Sequence, residues 1–514
     1  MLAAVRSATV LGVEGHPVVV EVHAGNGLPA FQIVGLPDEA CRESRDRVRA
    51  AVLSSGLRWP NSRITVNLAP SGRRKGGSGL DLAIAIGVLA ATEQVPVERL
   101  AEHAFLGELG LDGSVRPVSG IAPMVAATCL DRDGEVMVRP VVPAACVREA
   151  RGVVGAEVRV AITLAGVVEA LSGLSTWPLP PAQELSDDDL PMPDLADVRG
   201  QLAARLALEV AAAGDHHLLL VGPPGSGKTM LAQRLPGLLP SLDRTTSLEA
   251  TMVHSAAGVR LPSGGLVQRA PFRAPHHSSS LTALVGGGTS SLRPGEISLA
   301  HGGVLFLDEL GEFAPSALDG LRQPLEEGVV RLARARAVAT LPSRFLLVAA
   351  TNPCPCGGGP PGSCECDEGA RARYLRRLSG PLLDRFDLRV GVERPRPDDL
   401  MSVDAGEPTA TVAARVTAAR RRAHDRIGMA NAAIPGGRLD ELAPLEPAAR
   451  DALRGWLEAD RLTGRGYHRV RRVARTMADL QGDDELVRLE HVVLAMQLRV
   501  RLTMGRTTAA GGVT

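Results

Sequence analysis

Gly222-Pro223-Pro224-Gly225-Ser226-Gly227-Lys228-Thr229 stands between an apolar run, His217–Val221, that reads as a strand and a stretch that opens a helix. This is the context in which a glycine-rich loop grips phosphates. Its glycines let backbone N–H groups close on phosphate oxygens, and the helix N-terminus adds its dipole. Lys228 is spaced to reach the β- and γ-phosphates, and the Thr229 hydroxyl to ligate Mg²⁺. A chance turn would have to match all eight positions and both flanks. ATP and Mg²⁺ are therefore the expected ligands.

Two apolar runs downstream end in polar residues that would complete such a site. Val304-Leu-Phe-Leu leads into Asp308-Glu309, about eighty residues beyond the loop. Two carboxylates are costly to bury at a strand end unless they hold a cation or water. Asp308 is the expected holder of magnesium's water shell, and Glu309 the group that orients and polarises the attacking water. Phe345–Ala350 leads into Thr351-Asn352, whose neutral amide could orient the same water. An Asn that opens a turn before Pro353 is the plainer role for that residue. Short strands that end in polar or Gly-rich turns, with helical stretches between them, predict an α/β core with a parallel sheet and a site at the strands' C-terminal ends.

The chain has 514 residues, too many for one hydrophobic core, which predicts two or three domains. Residues 1–174 alternate strand-like stretches, Pro17–Val22 and Arg63–Leu68, with helical ones such as Asp81–Ala91, and read as an α/β domain. A Pro-rich acidic linker is expected over 175–196, the ATP-binding core over 197–395, a helical lid over 396–506 and a frayed tail over 507–514. No apolar run approaches the roughly 18 residues needed to span a bilayer, and Met1–Val20 lacks the layout of a signal peptide, so a cytoplasmic protein without membrane contact is expected. Acidic and basic residues balance at 57 each, which excludes a global field drawing the chain onto a polyanion and leaves any nucleic-acid contact local. Only two lysines occur, Lys75 and Lys228, so Arg-rich stretches carry less meaning and Lys228 carries more.

In this order, these residues resemble the AAA+ ATPases, and more closely the magnesium-chelatase-like branch that includes the bacterial ComM/YifB proteins. The resemblance covers nearly the whole chain and includes Asp197-Val-Arg-Gly-Gln201, Pro271-Phe-Arg-Ala-Pro-His-His277, Arg293-Pro-Gly-Glu-Ile-Ser-Leu-Ala-His301, Leu321-Arg-Gln-Pro-Leu-Glu-Glu327 and Leu378-Ser-Gly-Pro-Leu-Leu-Asp-Arg-Phe-Asp387. It implies that Arg385 is a finger reaching into a neighbouring subunit's nucleotide, with a surface Arg paired to Asp384 or Asp387 as the alternative. It also implies a homo-oligomeric ring, usually a hexamer, and a second nucleotide-sensing arginine from the lid. Arg465 in Thr463-Gly-Arg465 resembles that position, with Arg469 and Arg472 close by. The family's pore-facing hairpins match Val330–Arg336, where Arg331, Arg334 and Arg336 offer guanidinium groups to DNA phosphates; a solvated face is the alternative. With aromatics at 2%, contacts to single strands would fall chiefly on the backbone, independent of sequence.

Cys354-Pro-Cys356 and Cys364-Glu-Cys366 place four thiols on a loop too rich in Gly and Pro to form a core. A structural Zn²⁺ would organise it, although C-x-C spacing departs from the usual C-x₂₋₄-C and four free thiols are the alternative. In the N-terminal domain, Lys75-Gly-Gly-Ser78-Gly-Leu-Asp and Leu106–Val118 resemble the proteolytic domain of Lon-type proteases, with Ser78 at the nucleophile position. Ala122 stands where that family's lysine base belongs, so a non-catalytic domain is expected, with Ser78 a turn or helix-capping residue. The whole predicts a ring-forming ATPase motor, which the resemblance makes a DNA helicase or branch-migration factor of recombination or natural transformation. The alternatives are a protein-remodelling or regulatory ATPase and a magnesium-chelatase motor subunit; the latter is expected to match residues 197–505 only.

Overall fold

The structure, a computed structural model, describes residues 1–71, 75–131, 134–155, 157–180, 191–288, 292–334, 337–358, 364, 366–367, 369–370, 373–374, 380–401, 406–482 and 485–500. The N-terminal part is built on a seven-stranded mixed sheet in the order Ala30–Val34, Arg63–Ala69, Glu14–Gly25, Leu2–Leu11, His103–Phe105, Arg139–Pro143 and Arg159–Ala161. Side chains along Arg63–Ala69 and over the first part of Leu2–Leu11, up to Ser7, alternate between buried and more exposed positions, as a sheet with one covered face requires. Helix Asp81–Ala91 is buried along its whole length, which accounts for a sequence with no polar face. Burial of Leu82, Ile84, Ile86, Val88 and Leu89, at about 1.5–3 kcal/mol each, outweighs the cost of enclosing Asp81 at its start. Asp81 in turn is bonded by Ser44 and by Arg47, the latter at 2.7 Å.

A second sheet has five parallel strands in the order Phe272–Arg273, Val304–Leu307, Leu346–Thr351, Leu218–Val221 and Leu388–Gly391. Its three central strands are buried on both faces, the reason they read as unbroken apolar runs. Helices Leu202–Gly214, Thr409–Ile427 and Gly464–Gln481 cover one face, and Ala207, Val416 and Val470 share one hydrophobic core with Leu218 and Val348. The helical C-terminal segment is thus packed onto the sheet. After helix Leu489–Gln497 the chain lies alongside Leu388–Gly391, with Arg389 N bonded to Leu498 O and Val500 N to Arg389 O, both at 2.8 Å. Strand-like pairing in this C-terminal stretch was not expected from its composition. Among the described residues no helix is long and apolar enough to cross a membrane.

The two α/β units touch through helix Arg244–Ala257. The Ser255 hydroxyl accepts from Ala122 N at 3.1 Å and donates to Glu149 at 2.7 Å, while Gly120 N reaches Ser255 O at 3.0 Å. Burial raises the Glu149 carboxyl above its ordinary range. The turn at Gly12 presses so closely on the hairpin Val329–Arg334/Ala337–Pro342 that a side chain there would collide with Ala339.

Candidate nucleotide site

The glycine-rich loop leaves the strand Leu218–Val221 at its C-terminal end, beside the strand that leads to Asn352 and one strand further from the one that leads to Asp308. Gly225 and Gly227 have φ of 76° and 88°, conformations that β-carbons disfavour and that a tight phosphate loop needs. The helix that follows, Lys228–Ala232, has five residues, so its dipole adds less than the sequence suggests and the loop and Lys228 carry the grip. Lys228 Nζ donates to Gly222 O at 2.7 Å, Pro223 O at 2.9 Å and Asn352 Oδ1 at 3.2 Å. Burial lowers its pKa, against the pull of Asp308 and Glu309. The Thr229 hydroxyl donates to Asp308 Oδ2 at 2.7 Å. Five expected residues, Lys228, Thr229, Asp308, Glu309 and Asn352, therefore converge.

Two details depart from the sequence reading. The carboxylates are not enclosed: Glu309 is 53% exposed, so the argument from burial cost does not apply to it. Glu309 instead takes a left-handed backbone conformation, φ 52°, uncommon outside glycine and a marker of functional constraint. Its carboxylate lies 3.2 Å from His277 Nδ1, on the segment after the edge strand Phe272–Arg273. Gln201 Nε2 reaches Ser226 O at 3.3 Å, bracing the phosphate loop from outside. His277 and Gln201 were given no role from sequence, where each was simply part of a quoted run.

Arg385 and Arg465 lie elsewhere. Arg385 precedes Leu388–Gly391, in which Leu388 is level with Leu218 and Gly391 with Val221, so it sits at the end of the sheet opposite the loop, about 10 Å of strand away. Its guanidinium pairs with Glu326. Arg465 is 80% exposed and lies 3.5 Å from Asp384 at the same end. Of the hairpin arginines, Arg331 is paired with Glu327, while the Arg334 side chain and Arg336 lie outside the described residues.

The four cysteine sulfurs lie within 4.8 Å of one another, with three pairs at 3.3–3.4 Å. A tetrahedral zinc with Zn–S of about 2.3 Å requires sulfurs about 3.8 Å apart, so the set fits. The backbone of Gly358, then the neighbouring thiols, lower Cys356 to about 6, favouring the thiolate that a metal needs. In the N-terminal domain Ser78 does not cap the helix Asp81–Ala91; it starts a short turn and donates its hydroxyl to Glu108. Lys75 donates to Pro70 O, and Ala122 is buried.

A glycine-rich phosphate loop on an inner strand of a parallel sheet, faced by Asp308, Glu309 and Asn352, defines a P-loop ATPase core. Residues 194–400 match the family model described as magnesium chelatase, subunit ChlI; 406–499 match its C-terminal model and 20–141 a further model, subunit ChlI of Mg-chelatase. The chain is 49% identical over 482 residues to an uncharacterised protein of Mycobacterium tuberculosis, covering 93% of this chain and 94% of that one. It is 43% identical over 504 residues to YifB of Escherichia coli, covering 97% of each, and 41% identical over 510 residues to the competence protein ComM of Haemophilus influenzae, covering 98% of each. A stretch of 175 residues, 34% of this chain and 22% of the relative, is 29% identical to the "Probable DNA helicase MCM9" of Arabidopsis thaliana. The chain belongs to the magnesium-chelatase-like ATPase family of the ComM and YifB proteins. Because residues 20–141 also match a ChlI model, the N-terminal domain does not separate this chain from chelatase subunits as its sequence had led us to expect.

Proposed function

We propose that the chain is an ATP-hydrolysing motor that works as a homo-oligomeric ring, six-membered by family resemblance, and acts on DNA as a helicase or branch-migration factor. The observation that carries this reading is the division of the site. The phosphate loop, Thr229, Asp308, Glu309 and Asn352 gather at one end of the sheet, and Arg385 and Arg465 stand at the other, where they would meet a neighbour's nucleotide. In each subunit Lys228 would exchange the carbonyls of Gly222 and Pro223 for β- and γ-phosphate oxygens. Thr229 and Asp308 would hold Mg²⁺, which neutralises charge on the phosphates. Glu309 and Asn352 would orient the attacking water, and Arg385 of the adjacent subunit would face the charge that develops on the γ-phosphate.

DNA as cargo is supported by the name of the MCM9 relative, a probable DNA helicase, and by a hairpin strand, Val329–Arg334, that carries Arg331 and Arg334. The match of 20–141 to a chelatase subunit model favours metal insertion into a tetrapyrrole as the second reading. Steady-state ATPase measured without DNA, with single strands, with duplex and with a four-way junction separates them. Stimulation that is strongest on branched DNA is expected; a rate that no DNA alters would remove the DNA reading. In the N-terminal domain, Ser78 bonded to Glu108 and Lys75 turned to a backbone carbonyl support a non-peptidase role.

The cysteine cluster would hold one structural Zn²⁺, two residues beyond Asn352. One zinc per chain by elemental analysis is expected, lost in Cys356→Ser with Cys364→Ser, along with a lower unfolding temperature. A full complement of zinc in that double variant would place the metal elsewhere.

A further inference from the structure

The segment that carries Arg385 has its backbone carbonyls held by guanidinium groups. Arg389 Nη2 donates to Leu383 O at 2.6 Å and Arg469 Nη1 to Arg385 O at 3.0 Å; Arg499 Nη1 donates to Phe386 O at 3.1 Å and Asp387 O at 2.9 Å. Arg469 also pairs with the buried Asp387 carboxylate, which His216 Nδ1 approaches to 3.4 Å. Arg469 belongs to helix Gly464–Gln481, and Arg499 to the stretch after Leu489–Gln497 that lies against Leu388–Gly391. Two elements of the helical C-terminal part therefore set the path of residues 385–387.

Charge balance argues that these contacts serve geometry. Arg389, Arg469 and Arg499 crowd around the single buried carboxylate of Asp387, and burial, then Arg389 and Arg469, lower Arg499 to about 10. Apolar side chains would pack here without that desolvation cost, whereas an arginine's fixed fork of donors can hold neighbouring carbonyls at set angles.

We infer that Arg469 and Arg499 are positioning residues that fix the backbone under Arg385, so that the finger offered to one subunit's ATP is tied to the helical lid of the subunit that owns it. This rests on the proposed role of Arg385 as a finger in trans. A misplacement of about 1 Å in a reacting group can cost about 100-fold in rate. Arg469→Ala and Arg499→Ala should each lower kcat about 10- to 100-fold while KM for ATP shifts less than about twofold, and Arg499→Lys should recover part of the loss.

The deciding readout is mixing with Glu309→Gln subunits, which cannot hydrolyse but keep the finger. Arg499→Ala subunits own intact ATP sites, so activity should return in the mixture; mixed with Arg385→Ala subunits, none should return. If Arg499→Ala fails to assemble, Arg469→Lys and Arg499→Lys carry the same mixtures. An unchanged kcat in the Arg469 and Arg499 variants, or a defect that Glu309→Gln subunits do not relieve, would overturn the inference. An unchanged kcat in Arg385→Ala would instead overturn the finger reading beneath it.

Discussion

Replacing Arg385 with Ala is expected to cut ATP turnover by about 10³-fold while nucleotide affinity stays within a few-fold. In the single chain this guanidinium is paired with Glu326, whose side chain is 65% exposed. Such an exposed pair is worth about 0–1 kcal/mol. A 10³-fold effect on rate corresponds to about 4 kcal/mol, the scale of a charge placed against a transferring phosphoryl group in a water-poor interface. If Arg385 is the proposed finger, Glu326 is a resting partner that it would leave when subunits meet. Glu326→Gln should keep turnover within about twofold of the parent. Equal losses in the two variants, measured as kcat at saturating ATP, would mean that the ion pair itself is what matters.

Glu309→Gln should lower turnover by about 10²- to 10⁴-fold and leave ATP bound. The amide keeps the shape of the carboxylate and removes its charge, so the water loses the group that polarises it while the phosphate loop is untouched. Lys228 and Thr229 lie on that loop, and their contacts to Gly222 O, Pro223 O and Asp308 do not involve the Glu309 side chain. Binding of a fluorescent ATP analogue alongside single-turnover hydrolysis checks both halves. Retained hydrolysis would move the water-orienting role to another group; lost binding would make Glu309 part of the grip.

Much of this site is legible in the sequence because its parts are local. A phosphate loop is one continuous run, and the strands before Asp308 and Asn352 are buried on both faces, so each appears as an apolar run leading into its candidate site residue. The flanking strands were less visible. Phe272–Arg273 has only two residues, and Leu388–Gly391 carries Arg389 in its middle, so neither gives an apolar run. Long-range contacts left no local mark: nothing near His277 points to Glu309, and nothing near Arg499 points to the carbonyls of Phe386 and Asp387. Ser78, expected as a turn or cap, does start a short turn, but it does not cap the helix, and its hydroxyl goes to the distant Glu108, which nothing local to it indicates.

The most direct test of the divided site is ATPase activity in a one-to-one mixture of Glu309→Gln and Arg385→Ala subunits, each nearly inactive alone. Every Arg385→Ala subunit keeps Glu309, and every Glu309→Gln subunit keeps the finger, so random head-to-tail assembly makes about a quarter of the interfaces complete. Recovery of about a quarter of the parental rate per site is the predicted result. Activity no greater than the sum of the two variants, in rings shown to be mixed, would contradict a site shared between subunits.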